Sequence, residues 1–428
     1  MRRGDPRAGG PRPTRARHIV LGFILGLTAV AYLDRVCIAT TAPAMMADLG
    51  LGDAQMGYVF SAFTLAYALF EIPSGWLADR FGARLMLTRV VVWWSVMTAA
   101  TSLAQGFTSL FILRLLFGLG EAGAFPGTAR AFSHWLPAGE RGRAFGLAVM
   151  SGALGGALTQ PLVVALLERM SWRQTFQIFG LVGLAWAVGW YSWFRDDPRR
   201  HRGVNAAEVE RIGMEPPRHD GAMPWRAMLA SRSLHALCLM YLCVIYGWYF
   251  YLTWLPTYLL RARGFNLKEA GWLSALPLVG LATGVFAGGW MSDRLLRRCP
   301  LRQARRLPGL IGLPLAAAAL LGAIFTASPV ASALLIAGAA ALSALGVAPA
   351  WALCLELGGR SAGVVSGAMN MFGNLGGALC PVVIGEWLER GGSWEGPLLI
   401  VVAFYALAAL AWLFIDPGRA IETAEVRT

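Results

Sequence analysis

Two acids and two arginines sit where charge is costly. Asp34 and Arg35 lie deep in one apolar stretch, and Arg114 and Glu121 lie in another. A charge at the centre of a membrane-spanning helix costs roughly 2.5–3.5 kcal/mol on insertion scales, so each of these four needs a reason. Arg114 and Glu121 are seven positions apart, about two helical turns, which puts them on one face. The four groups can therefore share one cavity. A carboxyl group there can take up and lose a proton as its surroundings change. Arginine stays charged and can grip a carboxylate through two parallel hydrogen bonds. Protonating the acids frees the arginines for an anion and removes charge that would resist reorientation. This chemistry suits proton-coupled uptake of an organic anion. The plainer reading is ion pairing that locks the two helices together.

The elements that must position these groups are long and apolar. The chain has 428 residues, 57% hydrophobic and 14% charged, too few charges for the surface of a soluble protein of this length. Apolar blocks of about 20 residues recur, enough to cross about 30 Å of hydrocarbon as helix. They predict twelve spans, at about 18–44, 54–75, 85–104, 108–131, 143–167, 175–194, 234–260, 270–291, 308–327, 330–354, 361–388 and 395–415. The 51 glycines suit close helix contacts in such a bundle.

The net charge of +13 is a topology signal rather than a nucleic-acid signal. Arginines crowd the N-tail (Arg2, Arg3, Arg7, Arg12, Arg15, Arg17), Arg80 and Arg84, Arg141 and Arg143, residues 195–232, residues 294–306 and the C-tail. Most alternate loops have none, with Arg169, Arg173, Arg261, Arg263, Lys268 and Arg390 as exceptions. That rhythm puts both termini and the central loop in the cytoplasm. The basic start followed by an apolar run reads as a retained first helix rather than a cleaved signal. The stretch from Pro198 to Arg232 is basic, contains Pro216-Pro217 and lacks apolar periodicity; it reads as a linker. The predicted organisation is an N-tail at 1–17, a six-helix half at 18–195, a cytoplasmic linker at 196–233, a second half at 234–415 and a C-tail at 416–428.

The two halves repeat one another. Gly75-Trp76-Leu77-Ala78-Asp79-Arg80 recurs 214 residues later as Gly289-Trp290-Met291-Ser292-Asp293-Arg294, and Gly57 and Gly271 share that offset. Leu154-Gly155-Gly156-Ala157-Leu158 recurs as Leu375-Gly376-Gly377-Ala378-Leu379, and Ser171-Trp172 as Ser393-Trp394. Parallel repeats about an axis along the membrane normal are the architecture of the major facilitator superfamily, with substrate near the midplane between the halves.

Other residues fill out the reading. Glu71 sits near the end of the second span and reads as a cytoplasmic-side contact rather than a coupling site. Glu356 and Glu386 lie near span ends with no partner the sequence names. Asn370 and Asn374, read as buried in the eleventh span, could bond substrate hydroxyls or simply link helices. Tyr32, Tyr67, Tyr246, Trp248, Tyr249, Tyr251, Trp254 and Trp351 interrupt aliphatic helices; about half of such residues are usually belt or packing. Cys37, Cys238, Cys243, Cys299, Cys354 and Cys380 show no metal-ligand spacing and read as reduced, mostly buried thiols. His18, His134, His201, His219 and His235 form no cluster. Neither a phosphate-binding loop, a dinucleotide fingerprint nor a nucleophile elbow is found, which argues against an ATP-driven pump, a membrane enzyme or any bound cofactor or metal.

Gly75-x-Leu77-x-Asp79-Arg80-x-Gly82-x-Arg84 resembles the loop signature of the major facilitator superfamily. The resemblance implies an inter-helix latch made by Asp79, Arg80 and Arg84, echoed by Asp293 and Arg294. A narrower resemblance is carried by Tyr32-Leu33-Asp34-Arg35, by Arg114-Leu115-x-Phe117-Gly118-x-Gly120-Glu121-Ala122 and by Trp135-Leu136-Pro137-x-x-Glu140-Arg141-Gly142. Gly247-Trp248-Tyr249-x-x-Leu252-Thr253-Trp254-Leu255-Pro256 and Asn370-x-x-Gly373-Asn374-Leu375-Gly376-Gly377 extend it. These resemble the anion:cation symporter family, which includes bacterial permeases for galactonate, hexuronates, glucarate and tartrate, and animal vesicular glutamate and sialic acid carriers. The resemblance implies Asp34 and Glu121 as proton-coupling acids, Arg35 and Arg114 on the substrate carboxylate, and Tyr32, Tyr67, Trp351 and Asn370 on the rest of the substrate. The family's sugar-acid members often have a Gln near the Ser-Gly stretch of the fifth span. Here that stretch is Ser151-Gly152-Ala153 with Gln160 two turns on, so the resemblance does not reach a particular hexonate.

The expected protein is thus an all-α, multi-pass protein of a bacterial inner membrane with the major facilitator fold. Its expected partners are protons, a small organic anion and the lipid bilayer, and a monomer suffices. The expected function is proton symport of a small carboxylate by alternating access. An exporter or antiporter on the same fold is the alternative, and a transport-dead sensor reading through its linker is the remote one.

Overall fold

The computed structural model describes residues 13–213, 225–359 and 362–416; the side chains of residues 72, 75, 76, 78, 79, 138 and 225–227 lie outside it. Arg2, Arg3, Arg7, Arg12, Pro216-Pro217 and His219 are also outside the described residues. Every regular element among the described residues is helical, and nine helices are long and apolar enough to cross a membrane.

The first half holds α1 (Ala16–Leu49), α2 (Asp53–Thr101), α3 (Phe107–Glu121), α4 (Ala124–Trp135), α5 (Ala138–Leu167) and α6 (Trp172–Trp193). α1 stops where Gly50 turns left-handed (φ 64°) and returns its N–H to the Met46 carbonyl, the usual glycine stop. α2 is two rods joined at Gly82, whose φ of 80° and ψ of 164° break the helix. Only glycine suits that position: a Cβ would also stand 2.8 Å from the Asp196 carboxylate. The joint falls between the predicted second and third spans. α3 and α4 together fill the predicted fourth span, interrupted directly after Glu121.

The predicted linker is more ordered than its composition suggested. It contains a one-turn Pro198–Arg200 element, α7 (Ala206–Ile212) and α8 (Trp225–Ala230). Asn205 caps α7 by accepting from the Glu208 N–H. Glu208 is fully buried and accepts from Arg17 Nη1 at 2.7 Å. A seven-residue helix is too short to show an apolar period, so the pattern missed it.

The second half holds α9 (Arg232–Tyr249) and α10 (Leu255–Arg261), joined by a wide turn of π-helix at Phe250–Trp254. It continues with α11 (Leu267–Leu295), α12 (Leu301–Phe325), and α13 (Pro329–Ser343) joined through a tight Ala344–Gly346 turn to α14 (Val347–Gly358). α15 (Ala362–Glu389) and α16 (Glu395–Trp412) complete it. Counting the arms of α2 separately and rejoining the interrupted rods gives a helical segment for each predicted span.

Packing reproduces the repeat. A Cβ on Gly155 of α5 would meet the Ala29 backbone of α1 at 2.8 Å; one on Gly376 of α15 would meet the Leu242 carbonyl of α9 at 2.2 Å. Gly152 faces Tyr32 and Gly156 faces Val36; Gly373 faces Ile245 and Gly377 faces Tyr249. All three contacts recur with the first helix advanced by 213 residues and the second by 221. Small residues let these rods meet backbone to backbone.

Among the described residues, contacts between the halves concentrate at one end. There Gly57 lies on the Pro381 carbonyl and Gly385 on the Asp53 carbonyl. Arg261 Nη1 pairs with Asp53 at 2.7 Å, Tyr58 donates to Glu386 at 2.9 Å, and the Ala54 N–H donates to Glu389 at 3.2 Å. Phe60 meets Trp254 edge-on, and Gly271 of α11 packs on Val164 of α5. At the other end, which bears the basic loops, Gly139, Gly142 and Gly146 of α5 and Gly363 and Gly367 of α15 have open space at the Cβ position. The described residues thus outline a wedge between the halves, closed at the Asp53 end. Among the cysteines, five are buried thiols and Cys299 is half-buried.

Candidate functional site

The charged residues singled out in the sequence converge inside the first half. α1 presents Asp34 and Arg35 on successive positions, and the last two turns of α3 present Arg114 and Glu121. Arg35 Nε donates to Glu121 Oε1 at 2.6 Å. Its guanidinium also lies over three rings: Tyr67 at 4.8 Å, Phe63 at 5.1 Å and Tyr32 at 5.5 Å. These ring faces add attraction without competing for the N–H donors. Arg35 keeps 17% of its side chain exposed while Glu121 has none, so the pair opens outward through the arginine.

The other pair is buried more deeply and bonded less. Asp34 is fully buried, within electrostatic reach of Glu121 and Arg114 and beside Thr98. Among the described residues no hydrogen-bond partner reaches Nε or Nη1 of Arg114 or Oε2 of Glu121, and the Asp34 carboxylate has Thr98 beside it. Arg114 is 1% exposed and rests on the Phe117 ring at 4.4 Å. Helix locking alone would favour saturated partners, because an unpaired buried polar group costs about 1–3 kcal/mol and more when charged. The arrangement is an ion pair flanked by buried acceptors and donors that have no protein partner among the described residues.

The second half brings polar and aromatic groups to the same level. Asn370 of α15 reaches across the interface and donates from Nδ2 to both oxygens of Glu71, at 2.7 and 2.9 Å. The inter-helix bond weighed for Asn370 is therefore present. Glu71 is a contact, as the sequence suggested, but one between the halves: it is half-buried, one turn beyond Tyr67 on the same face of α2, and held by Asn370. That four-residue spacing was the available signal. Asn374 follows one turn after Asn370; both are half-buried rather than buried. Trp351 is 40% exposed and donates to the Tyr241 hydroxyl at 3.3 Å. Tyr241, which sequence reasoning missed, is buried, accepts from Trp351 and seats Gly373 on its ring. Tyr32 and Tyr67 flank Arg35 as stated. Three rods are interrupted, at 122–123 directly after Glu121, at 250–254 and at 344–346, as in carriers whose broken helices line the binding site.

The family model of the Major Facilitator Superfamily matches residues 24–381. The chain belongs to this superfamily. Members similar to it include a probable sulfoacetate transporter of Cupriavidus necator, 37% identical over 421 residues and covering 96% of each chain. A D-galactonate transporter of Escherichia coli is 32% identical, over 96% of this chain and 98% of its own. A probable galactarate/D-glucarate transporter of Bacillus subtilis is 32% identical, over 94% and 92%. Among solved structures, a bacterial homolog of the human lysosomal transporter Spinster, inward-facing and unoccupied, superposes with a TM-score of 0.76. It is 22% identical, over 95% of this chain and 97% of its own. The resemblance to organic-anion permeases read from the motifs thus agrees with the named relatives, which are transporters and not enzymes.

The superfamily's loop signature sits at the open end. The Asp79 side chain lies outside the described residues. Arg80 lies over the Phe81 ring at 5.7 Å. Arg84 turns to α6: it donates to the Tyr191 carbonyl at 2.7 and 3.0 Å, its backbone N–H donates to Asp196, and its guanidinium covers the Tyr191 ring at 4.2 Å. In the second half, Arg305 of α12 joins Asp293 at 3.7 Å and Glu356 at 2.7 Å, while Arg294 lies over Trp290. The described contacts of Arg84 stay with α6 and the first linker residue, and those of Arg294 and Arg305 stay within the second half. The partners the sequence did not name for Glu356 and Glu386 are Arg305, and Tyr58 with Arg390. Gln160 is fully buried and bonded to Thr40, within the first half.

Proposed function

We propose that this chain is a proton-coupled symporter of small organic anions that works by alternating access. One observation supports the reading most: two arginines and two acids are buried together in one half, linked by the Arg35–Glu121 pair, and charge this costly in a membrane is retained for function. Asp34 and Glu121 take the proton and Arg35 and Arg114 take the anionic group. Tyr32, Tyr67, Trp351, Asn370 and Asn374 contact the remainder. Protonating Glu121 weakens its hold on Arg35, and the partly exposed guanidinium then meets the substrate.

The twelve helical segments are twelve spans, in six-helix halves at 18–195 and 234–415 joined by a linker at 196–233. The positive-inside rule puts the basic end, both termini and the linker in the cytoplasm of a bacterial cell. The closed Asp53–Arg261 end then faces outward and the wedge opens inward. Asp79, Arg80 and Arg84 serve the opposite state, latching the cytoplasmic end when the wedge closes there, with Asp293 and Arg294 as counterparts. One copy contains the whole pathway, so the working unit is a monomer. The relatives direct the substrate class to sulfoacetate and aldonic or aldaric acids.

Uptake of radiolabelled sulfoacetate, D-galactonate and D-glucarate into proteoliposomes tests this. An inward proton gradient should drive accumulation of at least one of them, and Asp34→Asn should abolish it. Accumulation that ignores the gradient would overturn symport, and accumulation driven by an outward proton gradient would establish antiport.

A further inference from the structure

Glu71 is the acid that the coupling scheme above does not use. It extends from the first arm of α2 and is held across the interface by Asn370, 299 residues away, through two short contacts at 2.7 and 2.9 Å. This is a carboxylate bound in a cavity read as binding carboxylates. Its amide donor is one of the groups assigned to the substrate. The charged and titratable groups facing it are Arg35 from α1, Tyr67 on its own helix and Tyr241 from α9. Glu121 of α3 lies behind Arg35 as its ion-pair partner. From α15 it meets the neutral Asn370, and where α4 approaches this arm, Gly123 meets Ser74. With Glu71 ionised, the cavity holds three acids, Asp34, Glu71 and Glu121, against two arginines, Arg35 and Arg114.

We propose that Glu71 is an internal competitor for the substrate: in the empty carrier it occupies the Asn370 amide and binds the two halves together, and an anion enters that subsite only after Glu71 takes up a proton and lets go. The inference rests on the symport reading and adds a third proton site to it. The chemistry follows from charge. An amide donates more strongly to a carboxylate than to a neutral acid, so protonation loosens the contact. It also removes the negative charge in excess of the arginines, which would repel an incoming anion. Because Asn370 and Glu71 come from opposite halves, the same proton eases their separation. The substrate then replaces Glu71 as the link between halves.

Glu71→Gln tests this in the full-length protein. Glutamine can still accept from Asn370 but cannot titrate. Sulfoacetate and D-galactonate serve as probes, with binding to purified protein measured at a series of pH values. One linked proton makes affinity fall about tenfold per pH unit above the titration point. The variant should lose one such proton, so its affinity should fall about tenfold less per pH unit than wild type. Equal slopes in the two proteins overturn the proposal. A second arm needs no ligand. On acidification, the infrared spectrum of the empty wild-type protein should gain a carboxylic-acid carbonyl band that Glu71→Gln lacks. Identical difference spectra overturn the proposal even when both probes bind. If neither probe binds wild type, the anion reading fails by itself and the infrared arm alone decides for or against a titrating Glu71.

Discussion

The two halves solve the same contact in different chemistry. Advancing α1 by 213 residues, as the glycine contacts require, sets Arg35 on Trp248. Aligning the helix interruption after Glu121 with the one after Ser343 sets Glu121 on Ser343 and Arg114 on Ile336. In the first half Arg35 pairs with Glu121 at 2.6 Å; in the second, Trp248 Nε1 donates to Ser343 Oγ at 3.0 Å. The same two rods are bridged at the same height, once by an ion pair and once by a neutral hydrogen bond. Asp34 has Gly247 as its counterpart, seated against Tyr405. The repeat therefore conserves a joint between two helices while permitting its polarity to diverge. Charge collected in one half, and the other kept the geometry with groups that need no proton.

Substitutions at the paired joints should separate these roles. The largest effect is expected for Asp34→Asn and Glu121→Gln, which remove titration and keep shape. Gradient-driven accumulation should fall to background while exchange of labelled for unlabelled anion, measured by counterflow, persists. Loss of both activities together would place these acids in substrate binding rather than coupling. Next come Gly155→Ala and Gly376→Ala, which push a methyl into backbone at the equivalent helix contacts. Each should destabilise by about 1–3 kcal/mol, with Gly376→Ala the worse, read as a lower melting temperature and less monodisperse protein. A smaller effect follows from Trp248→Phe. Ser343 keeps its bond to the Ala340 carbonyl, so the change should cost about 1 kcal/mol, a drop of a few degrees in melting temperature with proton coupling intact. Smallest is Asp53→Asn at the rim, where the partner Arg261 is 42% exposed. A pair so placed contributes about 0–1 kcal/mol, and cross-linking between cysteines placed at residues 54 and 389, which meet across the same rim, should fall modestly in Asp53→Asn as the state opened at this end gains population.

Much of this was legible in the sequence because the membrane makes its demands in plain text. A charge in a long apolar run stands out, and Asp34, Arg35, Arg114 and Glu121 did meet. Glycine pairs at a fixed offset announced the repeat, and their contacts carry it. What escaped depended on which way a rod is rotated. Glu71 and Tyr241 are on sides that meet α15, but a helix apolar all round gives no moment from which to read its facing. The direction taken by Arg84 was equally hidden, since its partner is the backbone carbonyl of Tyr191, and any residue supplies a carbonyl. The α7 helix of the linker was lost to brevity, being held by a cap and one buried ion pair rather than by a repeated apolar face.

The closed end of the wedge has a consequence for how it parts. Its inner surface is glycine lying on carbonyls, Gly57 on Pro381 and Gly385 on Asp53, so few side chains must be drawn out of sockets when the halves swing. The ties that remain are at the rim: Arg261 to Asp53, Tyr58 to Glu386, and Glu389 to the start of α2. Exposed charges of this kind weaken as the Debye length shrinks from about 10 Å at 0.1 M salt to about 3 Å at 1 M. The seal is thus a smooth bearing with an electrostatic catch, and its release rate should rise with the ionic strength of the solution on that side alone.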